Sequence, residues 1–93
     1  MNTPEIPTLQ LPQVNINGSS ARSLLEDNRE AWRALETARE ALQKAMPNGR
    51  DYQTAEPGAY QAAREQHLAR IAAVVKIQEE LDVIGTHLSD FVS

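Results

Sequence analysis

Arginine, tyrosine, histidine and aspartate side chains recur around the middle of this chain in a pattern that suits a small anionic ligand. The cluster comprises Arg39, Arg50, Asp51, Tyr52, Tyr60, Arg64, His67 and Arg70. Guanidinium groups offer forked donors for phosphate or carboxylate, and tyrosines offer flat faces for a base and a hydroxyl for orientation. Asp51 can accept from a ribose hydroxyl or an exocyclic amine. The cluster therefore predicts a site for an anionic ligand with a flat ring, such as a nucleotide.

Members of this cluster also have a purely structural interpretation. Arg64 and Arg70 each have a glutamate within reach along or across a helix, and such pairs usually only solvate a helix face. A histidine such as His67 is more often a satisfied interior residue than a ligand-binding one. Arg50 can close its loop by pairing with the next residue, and Tyr60 can belong to the core. Both interpretations stay open from the sequence.

Catalysis is not indicated by the pattern of reactive residues. The two histidines, His67 and His87, are 20 residues apart, which places them about 30 Å apart on one helix, too far to share a metal. The chain has no cysteine, and it lacks an HExxH motif and a glycine-rich phosphate loop after a strand. We therefore expect no catalytic residues, no metal site and no cofactor.

A long second helix is predicted from about residue 57 to 91. Apolar and small residues recur there at steps of three and four, which is the pattern of a helix packed along one stripe. The stripe consists of Tyr60, Ala63, His67, Arg70, Val74, Ile77, Leu81, Ile84, Leu88 and Phe91. His67 and Arg70 stand where apolar residues belong, and polar groups there cost desolvation energy unless they are paired or face a cavity. The stripe therefore points to the same region as the cluster.

A first helix is predicted from about residue 20 to 46, where strong helix formers dominate. Its inner track consists of Leu25, Asn28, Trp32, Leu35, Arg39, Leu42 and Met46. Pro47 and Gly49 end this helix, and a connector over 47–56 joins it to the second one. The two helices are expected to form an antiparallel hairpin. With the hairpin centred near residue 52, His67 is expected level with Glu36.

The segment 1–18 is predicted to be an extended arm preceding the hairpin of 19–93. Three of its residues are proline, which excludes a regular helix. Its apolar residues, Ile6, Leu9, Leu11, Val14 and Ile16, recur at nearly every second or third position. We expect this apolar edge to lie along a groove, either on the same hairpin or on a neighbouring copy.

Composition favours self-association of an all-α chain. The chain has 93 residues, of which 41% are hydrophobic, and so short a chain buries only a thin core by itself. One partner helix cannot cover both the stripe and a second apolar face formed by Leu68, Ile71, Ala72 and Val75. We therefore expect a homo-oligomer, most simply a four-helix dimer, in which hairpins assemble into a helical bundle.

Several functional classes are disfavoured by charge and hydropathy. The formal net charge of −4 argues against binding duplex nucleic acid, which normally needs a basic surface. No apolar run approaches the length of a membrane span, about 18 residues. The N-terminus lacks the charged and apolar regions of a signal peptide. A cytoplasmic protein without membrane partners is expected.

Three short motifs resemble those of small helical proteins encoded by bacteriophages and prophages. They are Ile16-Asn17-Gly18-Ser19-Ser20, Asn48-Gly49-Arg50-Asp51-Tyr52, and Ala63 with His67 and Arg70. The similar proteins often read NGTS before the first helix and HGRDYY between the helices. Here Ser19 replaces the threonine, Asn48 the histidine and Gln53 the second tyrosine, which weakens any need for a paired-tyrosine platform.

The resemblance implies a phage accessory protein acting in the bacterial host cell, without implying an activity by itself. By analogy, small oligomeric phage proteins include sponges that sequester nucleotide signals of bacterial immunity. This leads to the hypothesis of a homo-oligomeric anti-defence sponge for a cyclic or ADP-ribose-like nucleotide. The alternative is a helical protein-binding module, either an inhibitor of a host protein or a virion or assembly adaptor.

Overall fold

The computed structural model describes residues 6–14 and 20–92. In chain order it contains helix α1 (Ala21–Lys44), a short 3₁₀ helix (Gly49–Tyr52) and helix α2 (Ala59–Ser89). α1 and α2 pack against each other along their lengths. The contacts of Asn28 with Leu81 and of Leu42 with His67 show that they run antiparallel. The prediction of an all-α chain with two packed helices is confirmed.

Helix α1 begins and ends where local chemistry dictates. The Ser20 hydroxyl accepts a hydrogen bond from the Ser23 backbone N–H at 3.0 Å, which satisfies one of the free donors of the first turn. The helix ends at Lys44, because Pro47 lacks the N–H needed to continue it. The observed bounds lie within two residues of the expected 20–46.

The connector is longer than expected. Its 3₁₀ helix is capped by Asn48, whose Oδ1 accepts from the Arg50 backbone N–H at 3.0 Å. Gly58 has φ 87°, a left-handed conformation that glycine adopts without penalty. This turn delays the start of α2 to Ala59, two residues after the Pro57 at which the sequence suggested that the helix begins.

The predicted register of the hairpin differs from the observed one. His67 is not level with Glu36 but with Leu42, whose carbonyl its ring contacts. The shift amounts to about six residues, nearly two helical turns. Its cause is the connector, since the Tyr60 ring lies against Gly49 and the first turn of α2 therefore faces the 3₁₀ helix instead of α1.

The inner face of α1 follows the predicted track, whereas that of α2 departs from the predicted stripe at Ile77. Leu25 is buried and the other track residues of α1 are half-buried. On α2, Ile77 is 47% exposed while Gln78 is only 5% exposed. His67 and Leu88, which belong to the predicted stripe, are 6% and 1% exposed. The stripe therefore leaves the contact face near Ile77, where Gln78 instead donates to Glu36 and to the Trp32 carbonyl.

The hairpin leaves much apolar surface uncovered. Among the described residues, the buried apolar side chains are Ala21, Leu25 and Leu88. By contrast, Leu68 and Phe91 are 42% and 52% exposed. Of the second apolar face predicted on α2, Leu68 and Ala72 are exposed and Ile71 and Val75 are half-buried.

The described part of the arm, residues 6–14, lies on its own hairpin. The His87 Nε2 atom donates to the Pro12 carbonyl at 2.8 Å, and the His87 ring meets Phe91 edge-on at 5.3 Å. The arm bends once, where the Leu9 N–H donates to the Ile6 carbonyl at 3.0 Å. The remaining arm residues, 1–5 and 15–18, and the turn motif before Ser20 lie outside the described residues.

Candidate functional site

His67 caps the end of α1 from across the hairpin. Its side chain is 6% exposed, and its Nε2 lies 2.6 Å from the Leu42 carbonyl oxygen. This carbonyl lies in the last turn of α1, where the Ala45 N–H donates to it at 3.1 Å, and the second lone pair of the oxygen remains for His67. Because a carbonyl can only accept, Nε2 must carry the proton, and His67 acts as the donor.

Arg70 completes the hydrogen bonding of the same ring. Its Nη1 lies 3.3 Å from the His67 Nδ1. A guanidinium can only donate, so Nδ1 accepts and the ring is the neutral Nε2–H tautomer. The polar position in the predicted stripe is therefore satisfied, and the exposed Arg70 is held by a neutral group.

The tyrosines and Arg50 of the predicted cluster form a second group on the connector. The rings of Tyr52 and Tyr60 are 6.0 Å apart at 47°, so they pack on each other. The Arg50 Nε donates to the Asn48 Oδ1 at 3.3 Å. Asp51 is exposed beside it on the 3₁₀ helix. This arrangement gives the connector an exposed guanidinium and carboxylate with an aromatic pair, without a base-sized slot between the two rings.

Arg39 belongs to a different arrangement, on α1. It forms an ion pair with Glu36 one turn earlier, and Glu36 also accepts from the Gln78 amide at 2.9 Å. Hydrogen bonds from Arg39 and then Gln78 hold the pKa of the Glu36 carboxyl below its usual value, and the hydrogen bond to Glu36 raises the pKa of Arg39. The charge of Arg39 is thus already balanced within the chain.

The predicted cluster is therefore divided into parts. Two pairs are brought together: His67 with Arg70, and Tyr52 with Tyr60. Arg39 is engaged by Glu36, and Arg64 is exposed on the first turns of α2. Five of the eight side chains are exposed, namely Arg50, Asp51, Tyr60, Arg64 and Arg70, so the cluster provides charge mainly at the surface.

A groove between the helices lies in the other half of the hairpin. It has a volume of about 450 Å³ and is lined by Leu25, Asn28, Arg29, Trp32, Arg33, Leu81, Asp82, Gly85, Thr86 and Ser89. Ligand sites typically enclose roughly 300–1,000 Å³ with a mostly apolar lining and a few polar groups. The groove thus combines room for a small ligand with two arginines, a carboxylate and an indole.

Gly85 makes room for this groove. A Cβ atom at Gly85 would lie 3.0 Å from the Asn28 Nδ2 and 3.8 Å from a Leu25 methyl carbon. The same Asn28 amide donates to the Leu81 carbonyl at 2.9 Å. Asparagine on α1 and glycine on α2 therefore form the floor of the groove, where larger apolar residues would have closed it.

Trp32, which lines the groove, carries an unused donor. Its indole Nε1 is buried and has no hydrogen-bond partner among the described residues. A buried N–H without a partner costs about 1–3 kcal/mol. A ligand or a second chain that brings an acceptor to this nitrogen would remove that cost.

Sequence reasoning missed the groove because the signal lay in the residues between the apolar ones. Arg29 and Arg33 are spaced i, i+4 and so share a face of α1 beside the inner track. Gly85 stands opposite Asn28 only in the observed register. A glycine across from a small polar residue is the feature that could have indicated a cavity.

Comparisons with known proteins do not narrow the function. No family model, curated protein or solved structure matches this chain. In the described ranges, 6–14 and 20–92, no three histidine, cysteine, aspartate or glutamate side chains gather to hold a metal ion. Within the same residues neither helix has an apolar stretch that could cross a bilayer.

Proposed function

We propose that this protein is a non-catalytic, homo-oligomeric phage accessory protein that binds and sequesters a small anionic nucleotide of the kind used as an immune signal. The observation that carries the proposal is the groove of about 450 Å³, with Arg29, Arg33 and Asp82 in its lining and the buried Trp32 indole beside them. A protein of this kind needs a tight site and many copies, and it needs no reactive group.

The groove offers complementary chemistry for each part of a nucleotide. Arg29 and Arg33 supply forked donors for phosphate oxygens, and Asp82 can accept from a ribose hydroxyl or an exocyclic amine. The Trp32 N–H is buried without a partner in the described chain, so a base or phosphate oxygen would reach it only if side chains around it moved. Arg29, Arg33 and Asp82 are exposed, as are the arginines of the connector end, but these three residues line one groove.

The connector end supplies a second set of cations. Arg50, Arg64 and Arg70 remain exposed there, and the last of these is held by His67. Leu81, the groove residue nearest to Arg70 along α2, lies about 16 Å from it along the helix axis. Variants at the two ends therefore distinguish the two possible sites.

Uncovered apolar surface supports self-association. Leu68 and Ile77 are 42% and 47% exposed, beside the half-buried Ile71 and Val75. Large exposed apolar patches on small chains usually mark interaction sites. A second copy would bury this surface and add to a core that is thin in the single hairpin.

The alternative function, a helical protein-binding module, is favoured by the same exposed side chains of α2 and by Phe91, which is 52% exposed. In that case a protein of the bacterial host or of the virion would cover Leu68 and its neighbours. The groove would then be a gap in the packing of the isolated hairpin.

Native mass spectrometry combined with thermal-shift screening tests the proposal. The full chain is screened against cyclic dinucleotides, cyclic trinucleotides and ADP-ribose derivatives. We expect one compound to raise the melting temperature by several degrees and to add its mass to an oligomer, because ligands that bind only the folded state stabilise it. An oligomer whose melting temperature and mass no compound changes would contradict nucleotide binding and favour the protein-binding module.

A further inference from the structure

The imidazole of His67 makes two hydrogen bonds that respond differently to a proton. Nε2 donates to the Leu42 carbonyl at 2.6 Å, and Nδ1 accepts from the Arg70 Nη1, 3.3 Å away. Protonation keeps the first bond, since Nε2 retains its hydrogen. It removes the second, because Nδ1 becomes a donor that faces a guanidinium of the same charge.

We propose that His67 is a proton-operated positioning residue for Arg70: the neutral ring holds the guanidinium, and the protonated ring releases it while still capping α1. Arg70 is exposed on the adjacent turn of α2. The orientation of this cation would then depend on whether His67 carries a second proton, while the helix pair stays closed.

The elements that meet at this end carry several charged and titratable groups: Glu36, Arg39, Glu40 and Lys44 on α1, Arg50, Asp51 and Tyr52 on the connector, and Tyr60, Arg64, Glu65 and Arg70 on α2. Glu36 already accepts from Arg39 and from Gln78, and Glu65 accepts from Gln61. Because Arg70 is exposed, release turns its guanidinium toward solvent, toward an exposed carboxylate or toward an external anion.

The consequence for ligand binding rests on the proposed function, in which Arg70 is one of the predicted ligand-binding residues. On acidification the Arg70 guanidinium would lose its fixed orientation, and the neighbouring His67 imidazole would gain a positive charge. The hydrogen-bond exchange itself needs no ligand and can be measured on the free protein.

The second histidine provides an internal control. The His87 Nε2 donates to the Pro12 carbonyl at 2.8 Å, and its ring meets the edge of Phe91. Protonation of His87 leaves its Nε2–H donor in place, and neither of these two contacts involves an arginine. A pH effect on Arg70 must therefore follow the titration of His67 and not that of His87.

Side-chain nitrogen NMR on the ¹⁵N-labelled full chain, from about pH 7.5 to about pH 5, tests this inference. We expect His67 to be the neutral Nε2–H tautomer at the upper pH. As it titrates, hydrogen exchange of the Arg70 guanidinium, corrected for its intrinsic rate, should rise about fivefold, the factor expected for loss of one hydrogen bond. Backbone signals of α1 and α2 should keep their folded positions.

Two variants make the test specific. The glutamine in His67→Gln can donate and accept at every pH, so hydrogen exchange of the Arg70 guanidinium should not rise as the pH falls. His87→Gln should keep the rise seen in wild type. If His67→Gln fails to fold, the wild-type titration alone decides. An Nδ1–H tautomer at neutral pH, or an Arg70 signal that ignores the His67 titration, would overturn the proposal. Neither result bears on whether a nucleotide binds, because no ligand is present.

Discussion

The Gln78 amide of α2 lies 2.9 Å from the Glu36 carboxylate of α1 and sets the two helices in register. The same amide approaches the Trp32 carbonyl at 3.4 Å, and Gln78 is buried to 5% exposure. Buried polar groups are costly unless every partner is present. This bridge therefore favours one register of the hairpin over its neighbours.

Removing the bridge should destabilise the hairpin. Gln78→Ala leaves a cavity and removes a donor from Glu36, and we expect a loss of about 1–3 kcal/mol in the free energy of unfolding. Urea unfolding followed by circular dichroism measures this loss. Gln61→Ala, an exposed change on the same helix, is the matched control and should stay within about 0.5 kcal/mol of wild type. Equal effects of the two changes would show that Gln78 does not set the register.

The Glu36 carboxylate should make stability depend on pH. Because hydrogen bonds from Arg39 and Gln78 lower its pKa in the folded state, its contribution is present above the ordinary pKa of a glutamate. That contribution is lost as the pH falls through the lowered folded pKa. We expect wild type to exceed Glu36→Gln in unfolding midpoint at neutral pH and the difference to shrink in acid. A difference that widens on acidification would contradict this assignment.

Gly85 and Asn28 should be energetically coupled. Replacing glycine by alanine inside a helix normally gains about 1 kcal/mol, but in wild type the new Cβ would lie 3.0 Å from the Asn28 Nδ2. We therefore expect Gly85→Ala to raise the free energy of unfolding only slightly in the wild-type background. In an Asn28→Ala background it should give the full increase. A double-mutant cycle of unfolding free energies measures this coupling, and additive effects would mean that the two residues do not meet.

The groove arginines should control ligand retention if the groove is the site. Arg29→Ala with Arg33→Ala is expected to abolish the thermal shift of whichever nucleotide the screen identifies, because charged donors to phosphate are lost. Arg50→Ala with Arg70→Ala is the matched charge-removing control at the connector end. The reverse result would place the ligand at the connector, as the sequence alone predicts. In each case native mass spectrometry checks that the oligomeric state is unchanged.

Helix existence and the inner face of α1 were predictable because both depend on local spacing. Pro47 and the Ser20 cap determine where α1 ends and begins, and the 3-4 spacing from Leu25 to Met46 defines its packed side. On α2 the same reasoning selected Ile77, although the structure buries Gln78. Gln78 is held inside by hydrogen bonds to Glu36 and to the Trp32 carbonyl, and apolar periodicity does not reveal polar contacts of that kind.

The candidate site was only partly accessible from sequence. Arg70 and His67 were both selected, but their mutual hydrogen bond and the capping of Leu42 depend on a register that the connector determines. The groove escaped notice for the same reason, since Gly85 meets Asn28 only after α2 has shifted by nearly two turns.

By itself, the sequence determined two helices, their approximate ends and the polar break in the α2 stripe, because capping, proline and periodicity act within a few residues. Only the tertiary structure decided which side chains meet across the hairpin, where the groove opens, and that residues 6–14 rest on the chain's own His87. These features arise from contacts between residues far apart in sequence. The path of the connector determines the contacts that join the two helices.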